Sequence, residues 1–269
     1  PEAIQMVGVS FNTSTESGYS IGGEISYKKD LPLQWNSFEL IHGGLGVPSS
    51  LLYQREVAEA GGDETQLFGQ ELAGYDTYGV SQAQFTVIKF FDQVAGASRL
   101  TFVSEVGGTY VHGLAGTDEA RYGRAGTYGI GAFDLTGNTT TASDGTPWAA
   151  YGTCESGGVQ NLNALNCNNS GYTTSFSWGY RLRTALDYND VFAGVNLTPT
   201  LSWSHDVSGY APEPGGNFIQ GRKSVGLSLK AVYLNQYSAN VSYTNYFGGK
   251  PYNLLNDRDN IALSVAYSF

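Results

Sequence analysis

Hydrophobic and polar residues alternate with a period of two in several segments of this chain, most clearly over residues 261–269. Ile261, Leu263, Val265, Tyr267 and Phe269 share one parity, and small or mildly polar residues lie between them. Successive side chains of a β-strand point to opposite faces, so this pattern predicts a strand with one apolar face. Such a strand suits either the core of a soluble β protein or a transmembrane barrel, whose outer face contacts lipid and carries aromatic residues at the membrane interface.

The same alternation predicts nine strands, joined by connections that are alternately short and long. The strands cover about residues 4–12, 18–28, 79–91, 99–112, 172–188, 191–206, 221–234, 236–247 and 261–269. Short connections fall near residues 12–17, 92–98, 189–190 and 235, and long ones near 29–78, 113–170, 207–220 and 247–258. Outer-membrane barrels combine short periplasmic turns with longer extracellular loops.

We therefore predict an all-β fold, an antiparallel transmembrane β-barrel over residues 1–269, with loops 29–78 and 113–170 extracellular. The spacing of apolar residues from Ser50 to Ala60 predicts a short helix in the first of these loops. Bacterial single-chain barrels have an even number of strands, whereas the pattern gives nine. We expect the chain to be the C-terminal part of a larger barrel, unless the pattern hides one strand.

The composition agrees with a barrel that is apolar outside and polar inside. Only 14% of the residues are charged, compared with about 25% in soluble domains, although 41% are hydrophobic. No segment approaches the roughly 20 consecutive apolar residues of a membrane helix. The net charge of −10 argues against a nucleic-acid partner. Outer-membrane lipid is the partner that this composition favours.

The charged residues of the predicted strands fall on the parity opposite to the apolar one. The candidates for lining the lumen are Glu24, Glu105, Arg181, Arg183, Asp187 and Lys230. They could form a charged path for an amphipathic or anionic cargo, or a self-neutralising network that stabilises the barrel wall. We favour the network, because buried charges need partners and both signs are present.

Cysteines and histidines give no strong indication of chemistry. Cys154 and Cys167 lie in one polar stretch rich in Gly and Asn, and they predict a disulfide in an oxidising compartment. A metal site is the weaker alternative, since no histidine or second cysteine pair lies nearby. His42, His112 and His205 are each isolated in the sequence, so we predict no metal and no cofactor.

Two short polar motifs are candidates for a functional site, one catalytic and one in a loop. His205 and Asp206 could act as a base and its orienting carboxylate, but neighbours on a strand point to opposite faces, and Ser204-His205 has the same difficulty. We therefore predict that the protein is not an enzyme. The Asp257-Arg258-Asp259 cluster precedes the last strand, where we expect a salt-bridged tie of the loop. A contact with calcium or lipopolysaccharide is the alternative.

Residues 171–269 also carry a specific series of motifs. In order they are Trp178-Gly179-Tyr180-Arg181, Pro199, His205-Asp206-Val207-Ser208-Gly209, Gly215, Phe218, Gly221-Arg222-Lys223, Ser242-Tyr243-Thr244, Phe247-Gly248-Gly249, Tyr252-Asn253 and Asp257-Arg258-Asp259. Together with Val9-Ser10-Phe11-Asn12 and Gly23-Glu24-Ile25-Ser26-Tyr27, this series resembles a family of Gram-negative outer-membrane proteins of unknown function. Members of that family are similar in class to long-chain fatty-acid channels and are typically encoded beside RND-type lipid exporters.

The resemblance implies a transport channel of the bacterial outer membrane for a hydrophobic or lipidic compound, working with an RND-type transporter. A passive porin for small polar solutes and a non-conducting structural barrel are the alternatives. The chain end also resembles the C-terminal recognition signal of outer-membrane barrels, with Phe269 last and Tyr267 as the second aromatic residue. Ser264 stands where that signal usually has Gly. The signal implies the barrel-assembly machinery as a partner during insertion.

Overall fold

Nine antiparallel strands form one sheet in the computed structural model of the chain, which describes residues 4–142, 144–157, 163–213 and 216–269. Every strand pairs with its neighbours in the sequence. The strands are β1 (Gln5–Ser14), β2 (Tyr19–Gln34), β3 (Tyr75–Asp92), β4 (Arg99–His112), β5 (Phe176–Phe192), β6 (Val195–Ser208), β7 (Arg222–Tyr233), β8 (Tyr237–Gly248) and β9 (Asn260–Tyr267). Strands β1 and β9 are the two edges and do not pair with each other, so the sheet is open. Gly215 of the sequence motifs lies outside the described residues.

Several strands extend further than the alternation predicted. Strand β2 continues to Gln34, so its connection to β3 covers residues 35–74 rather than 29–78. The alternation failed here because the register shifts between Lys28 and Leu31, which reverses the parity of the last residues. The short connection predicted at residues 189–190 is instead an irregularity within β5. The chain reverses four residues later, at Ala193 and Gly194, both of which have positive φ.

The strand pairing gives the sheet one mainly apolar and one mainly polar side, although Ile88, Val103 and Phe90 lie on the polar side. One row of cross-strand neighbours contains Leu201, Leu227, Tyr243 and Ile261. A row on the other face contains Thr86, Glu105, Arg181, Ser204 and Ser224. We call these two sides the apolar face and the polar face. The predicted parity of every strand agrees with this division, because paired residues of antiparallel strands point to the same side.

The helices lie in the long connections. They are α1 (Ser37–Gly44), α2 (Leu51–Glu59) and α3 (Cys154–Gly157), with 3-10 turns at Glu64–Leu67, Gly126–Tyr128, Trp148–Tyr151 and Ala164–Asn166. Helix α2 confirms the predicted helix, and its N-cap Ser50 accepts a hydrogen bond from the Tyr53 amide. Helix α1, capped by Asn36, was not predicted. No helix in the described part of the chain is long and apolar enough to cross a membrane.

All four long connections lie at one end of the sheet, because each strand of the meander reverses the direction of the one before it. They pack against each other there, and we call this packed region (residues 35–74, 113–142, 144–157, 163–175, 209–213, 216–221 and 249–259) the loop cap. The buried core lies where the cap meets the strand ends and consists of Leu33, Trp35, Leu52, Val80, Val111, Ala120 and Tyr122. The predicted disulfide between Cys154 and Cys167 is confirmed and lies within the cap.

Candidate functional site

The predicted lumen residues all lie on the polar face, spread over strands β2 to β7. Glu24 pairs with Gln84, Glu105 with Arg181, Arg183 with Val103, Asp187 with Arg99 and Lys230 with Thr198. The structure therefore brings all six to one side of the sheet. Their role in lining a lumen stays a prediction, since the sheet is open.

The hydrogen bonds among these residues do not form one continuous network. Near the short turns, the Arg99 guanidinium binds the Asp187 carboxylate, with 2.9 Å between Nη2 and Oδ2. Glu105 accepts a hydrogen bond from Gln84 at 2.8 Å instead of forming an ion pair with Arg181. Within the described ranges, Glu24, Arg183 and Lys230 have no ion pair at 4.0 Å or less.

Asp206 is the centre of a buried polar cluster on this face, and its side chain is only 1% exposed. Its Oδ1 accepts a hydrogen bond from Arg181 at 2.6 Å, and its Oδ2 accepts one from Nε of Arg222 at 2.6 Å. The Ile219 amide also donates to Oδ2, at 3.1 Å. Two guanidinium groups and a backbone amide therefore hold a buried carboxylate that would otherwise be costly to desolvate.

These contacts fold the connection between β6 and β7 over the polar face. The backbone oxygen of Asp206 accepts a hydrogen bond from the Gly221 amide at 2.7 Å, and Nη2 of Arg222 donates to the Asn217 oxygen at 2.8 Å. We call residues 216–221 the inward segment. Its Phe218 is 9% exposed and lies over Gly179, where an added Cβ would be 3.1 Å from Cδ1 of the ring.

A polar cleft of about 380 Å³ lies between the inward segment and strands β2 to β5. Gly107 and Gly179, which pair across β4 and β5, form part of its floor, and Phe218 covers that side. Glu24, Gln82, Gln84, Glu105, Arg181 and Asn217 supply the polar groups of its lining. The cleft can therefore accept a small solute that forms hydrogen bonds.

Only some of the residues around this cleft stand out in the sequence. Asp206 was considered as a partner of His205, and the pairing confirms that the two lie on opposite faces: His205 is opposite Tyr180, and Asp206 opposite Gly179. Phe218 and Arg222 occur in the motif series but were assigned no role. The alternation gives the face of a strand residue, but it gives no information on how a connection folds back.

Buried polar groups also join the connections of the loop cap. Glu39 is fully buried and accepts hydrogen bonds from Arg121 at 3.0 Å and from the Leu51 amide at 2.7 Å. Burial raises the pKa of Glu39, and these two donors offset the increase only in part. Burial also lowers the pKa of His42, whose Nδ1 is 3.0 Å from the Ser49 hydroxyl. This arrangement holds the cap together and offers no accessible reactive group.

A second carboxylate, Asp76, ties the base of the cap to the sheet. It accepts hydrogen bonds from Nε1 of Trp35 at 2.8 Å, from the Tyr122 hydroxyl at 2.5 Å and from Arg55 at 3.0 Å. Burial, together with the Asp76 carboxylate, raises the pKa of Tyr122.

The expected salt-bridged tie at Asp257-Arg258-Asp259 is wrong. Asp259 instead accepts hydrogen bonds from Tyr243, Asn245 and the Tyr246 amide, and Arg258 forms no ion pair in the described structure.

The remaining predicted positions carry no assembled chemistry. No group of three or more His, Cys, Asp and Glu residues within the described ranges could hold a metal ion. Tyr267 lies on the apolar face beside Tyr237, with 4.9 Å between the ring centroids. Phe269, two residues further along the chain, is fully exposed. Whether these two residues act as a recognition signal for barrel assembly stays a prediction.

Comparison with known proteins identifies a family but no function. The whole chain, residues 1–269, matches the model of a family described as "Protein of unknown function (DUF1302)". The chain matches no curated protein and no solved structure. The family description names no activity, ligand or partner, so no residue role can be transferred from it.

Proposed function

We propose that this chain, which belongs to the family described as a protein of unknown function (DUF1302), is the wall of a transport β-barrel in a bacterial outer membrane. The observation that carries the proposal is the division of the sheet into an apolar and a polar face across all nine strands. Transmembrane barrels need this division, because one side contacts hydrocarbon and the other contacts water.

The apolar face supports lipid contact through its area and its aromatic residues. Large side chains are widely exposed on it, including Val9 at 70% and Val265 at 77%. In water such a surface would favour aggregation, whereas in a bilayer it matches its surroundings. Tyr233, Tyr237 and Tyr267 form a cluster at the end with the short turns, as expected for an aromatic girdle at a membrane interface.

The number of strands supports a barrel that contains more than these nine. Strands of a meander alternate in direction, so the first and the ninth run the same way. Direct closure of this sheet would make β1 and β9 neighbours in parallel orientation, which outer-membrane barrels with an even strand number avoid. We therefore propose that additional strands complete the wall, and that the loop cap lies on the extracellular side.

The cargo that we propose first is a hydrophobic or lipidic compound with a polar head, handed on with the help of an RND-type transporter. An apolar strip on the polar face supports this choice of cargo. In this strip Ile88 and Val103 pair across β3 and β4, and Phe90 is the next residue of β3 on the same face. Arg183 is paired with Val103 and has no carboxylate partner within 4.0 Å among the described residues. An amphipathic acid could place its chain on the strip and its head group on Arg183.

A second candidate is the passage of small polar solutes. The observation that favours it is the polar cleft under the inward segment, lined by Glu24, Gln84 and Glu105. By contrast, two apolar grooves of the described structure lie on the apolar face, one of them along Leu201 and Leu227. Lipid would fill those grooves, so they do not argue for a hydrophobic cargo in a lumen.

The experiment that tests the proposal is reconstitution of the complete barrel, that is, this chain together with the additional strands proposed above, into phospholipid vesicles and planar bilayers. We expect folded, membrane-inserted protein that changes its electrophoretic mobility on heating and gives discrete conductance steps. Uptake of a fluorescent fatty acid that falls in Arg183→Gln, while conductance stays unchanged, would favour the lipidic cargo. Conductance without fatty-acid uptake would favour polar solutes. Protein that stays in the aqueous phase or seals the bilayer would refute transport.

A further inference from the structure

The connection between β6 and β7 is fixed to the polar face of the sheet, where its Phe218 lies over Gly107 and Gly179. Its hydrogen bonds run to Asp206 inside β6 and to Arg222 at the start of β7. Tyr210 and Ile219 also form a bridge that closes this connection on itself. A connection held in this way projects over the wall of the barrel and reduces the space enclosed by it.

The floor beneath the inward segment is shaped to receive Phe218. Gly107 and Gly179 are cross-strand neighbours, and both lie within contact distance of the ring: an added Cβ would be 3.9 Å and 3.1 Å from it, respectively. A side chain at Gly179 would also collide with the backbone oxygen of His205, at 2.6 Å. Glycine at these positions lets the sheet and the aromatic ring approach closely.

The charged side chains on the open side of the cleft differ in whether they have an ion-pair partner. Arg181 is engaged by Asp206, whereas Glu24 has no ion pair among the described residues and Glu105 accepts only the neutral Gln84 amide. Lys28, one row nearer the cap, donates to Gln82 at 2.8 Å and does not line the cleft. The charged groups of the cleft lining that have no ion pair among the described residues are therefore two carboxylates, Glu24 and Glu105.

We propose that the inward segment is the constriction of the channel. Phe218 determines the diameter of this constriction, and Glu24 and Glu105 make it prefer cations. This inference rests on the second candidate of the proposed function, the passage of small polar solutes, since a constriction requires a channel. It names the class of solute that the narrow point admits: small, polar and preferably cationic. Asp206 acts as the positioning residue that keeps the segment in place.

The diameter of the constriction is tested by single-channel conductance of the complete barrel in planar bilayers. We expect Phe218→Ala to raise the conductance and Phe218→Trp to lower it. Phe68→Ala removes a similar ring from an exposed position of the cap and should leave conductance unchanged. Opposite shifts for the two Phe218 variants separate a constriction from a general loosening of the fold, which would act in one direction. Equal conductance of the wild type and both Phe218 variants overturns the inference.

Selectivity is tested by the reversal potential in a gradient of potassium chloride. Glu24→Gln combined with Glu105→Gln should shift the potential toward anion preference, because two negative charges leave the narrow point. Glu59→Gln combined with Glu71→Gln is the matched control: it removes the same charge from exposed positions of the cap and should cause no comparable shift. Equal shifts in both double variants would overturn the assignment while leaving the channel intact. A wild type without conductance would instead refute the proposed function, and the constriction with it.

Discussion

Arg121 should be the single most important side chain for the stability of the loop cap. It is 4% exposed and donates four hydrogen bonds: to Glu39 at 3.0 Å, and to the backbone oxygens of Thr117, Ile130 and Ala132 at 3.0, 3.1 and 2.6 Å. Arg121→Met keeps most of the apolar stem and removes all four bonds. The variant leaves a carboxylate and three carbonyl oxygens without their donor in a buried site.

The expected cost follows from these contacts. Removing one partner of a buried ion pair destabilises a protein by about 3–5 kcal/mol. Because the raised pKa of Glu39 lets this carboxyl take up a proton more easily, we expect the lower end of that range, about 3 kcal/mol. This corresponds to an increase of roughly 150-fold in the opening equilibrium of the cap.

Hydrogen exchange followed by mass spectrometry measures this opening directly, because it reports each segment of a folded protein separately. Peptides from residues 35–60 and 113–142 should exchange faster in Arg121→Met, while peptides from β7 and β8 should not change. Arg258→Met is the matched control, since this arginine is exposed and forms no ion pair in the described structure. An effect below tenfold, or one equal to that of the control, would refute the reasoning.

Three further predictions concern the cap and the apolar face. Because burial raises the pKa of Glu39 above 4.5, the folded cap holds this proton more tightly than the unfolded chain, so cap stability should fall as the pH rises from about 4.5 through the raised pKa. Hydrogen exchange at several pH values should show this fall in the wild type and not in Glu39→Gln. Replacing Cys154 and Cys167 by Ser should destabilise the cap by roughly 3 kcal/mol, because the bridge closes a loop with a sequence separation of 13; unchanged thermal unfolding would contradict this. Leu229→Arg on the apolar face should cost about 2–4 kcal/mol in urea unfolding from vesicles, and Ser228→Arg on the polar face should cost far less.

Much of the sheet could be predicted from the sequence, because a strand shows its two faces directly in the order of its residues. The bounds of β4 agree with the prediction, and Lys230 lies on the polar face where its parity placed it. Parity failed where the register shifts between Lys28 and Leu31 in β2, and at Val191, which was predicted to begin the sixth strand but lies in β5. A bulge inserts residues without leaving a clear signal in the pattern of apolar positions.

The loop cap and the cleft could not be predicted in the same way. Their contacts join residues that are distant in the sequence, such as Glu39 and Arg121 or Gly179 and Phe218. An arginine in a Gly-rich stretch gives no local indication that it will be buried by backbone oxygens of its own connection. The glycine pair under Phe218 similarly becomes visible only when the strands are placed side by side.

The most direct test of the account is the environment of neighbouring positions on one strand. Val241 lies on the apolar face of β8, and Asn240 and Ser242 on the polar face. Each can be replaced by Cys and labelled with an environment-sensitive fluorophore in vesicles, since the native cysteines are joined in a disulfide. The account predicts that position 241 is quenched by brominated lipid and positions 240 and 242 by aqueous iodide. Quenching of all three by iodide, or the reverse alternation, would contradict the claim that the apolar face contacts hydrocarbon.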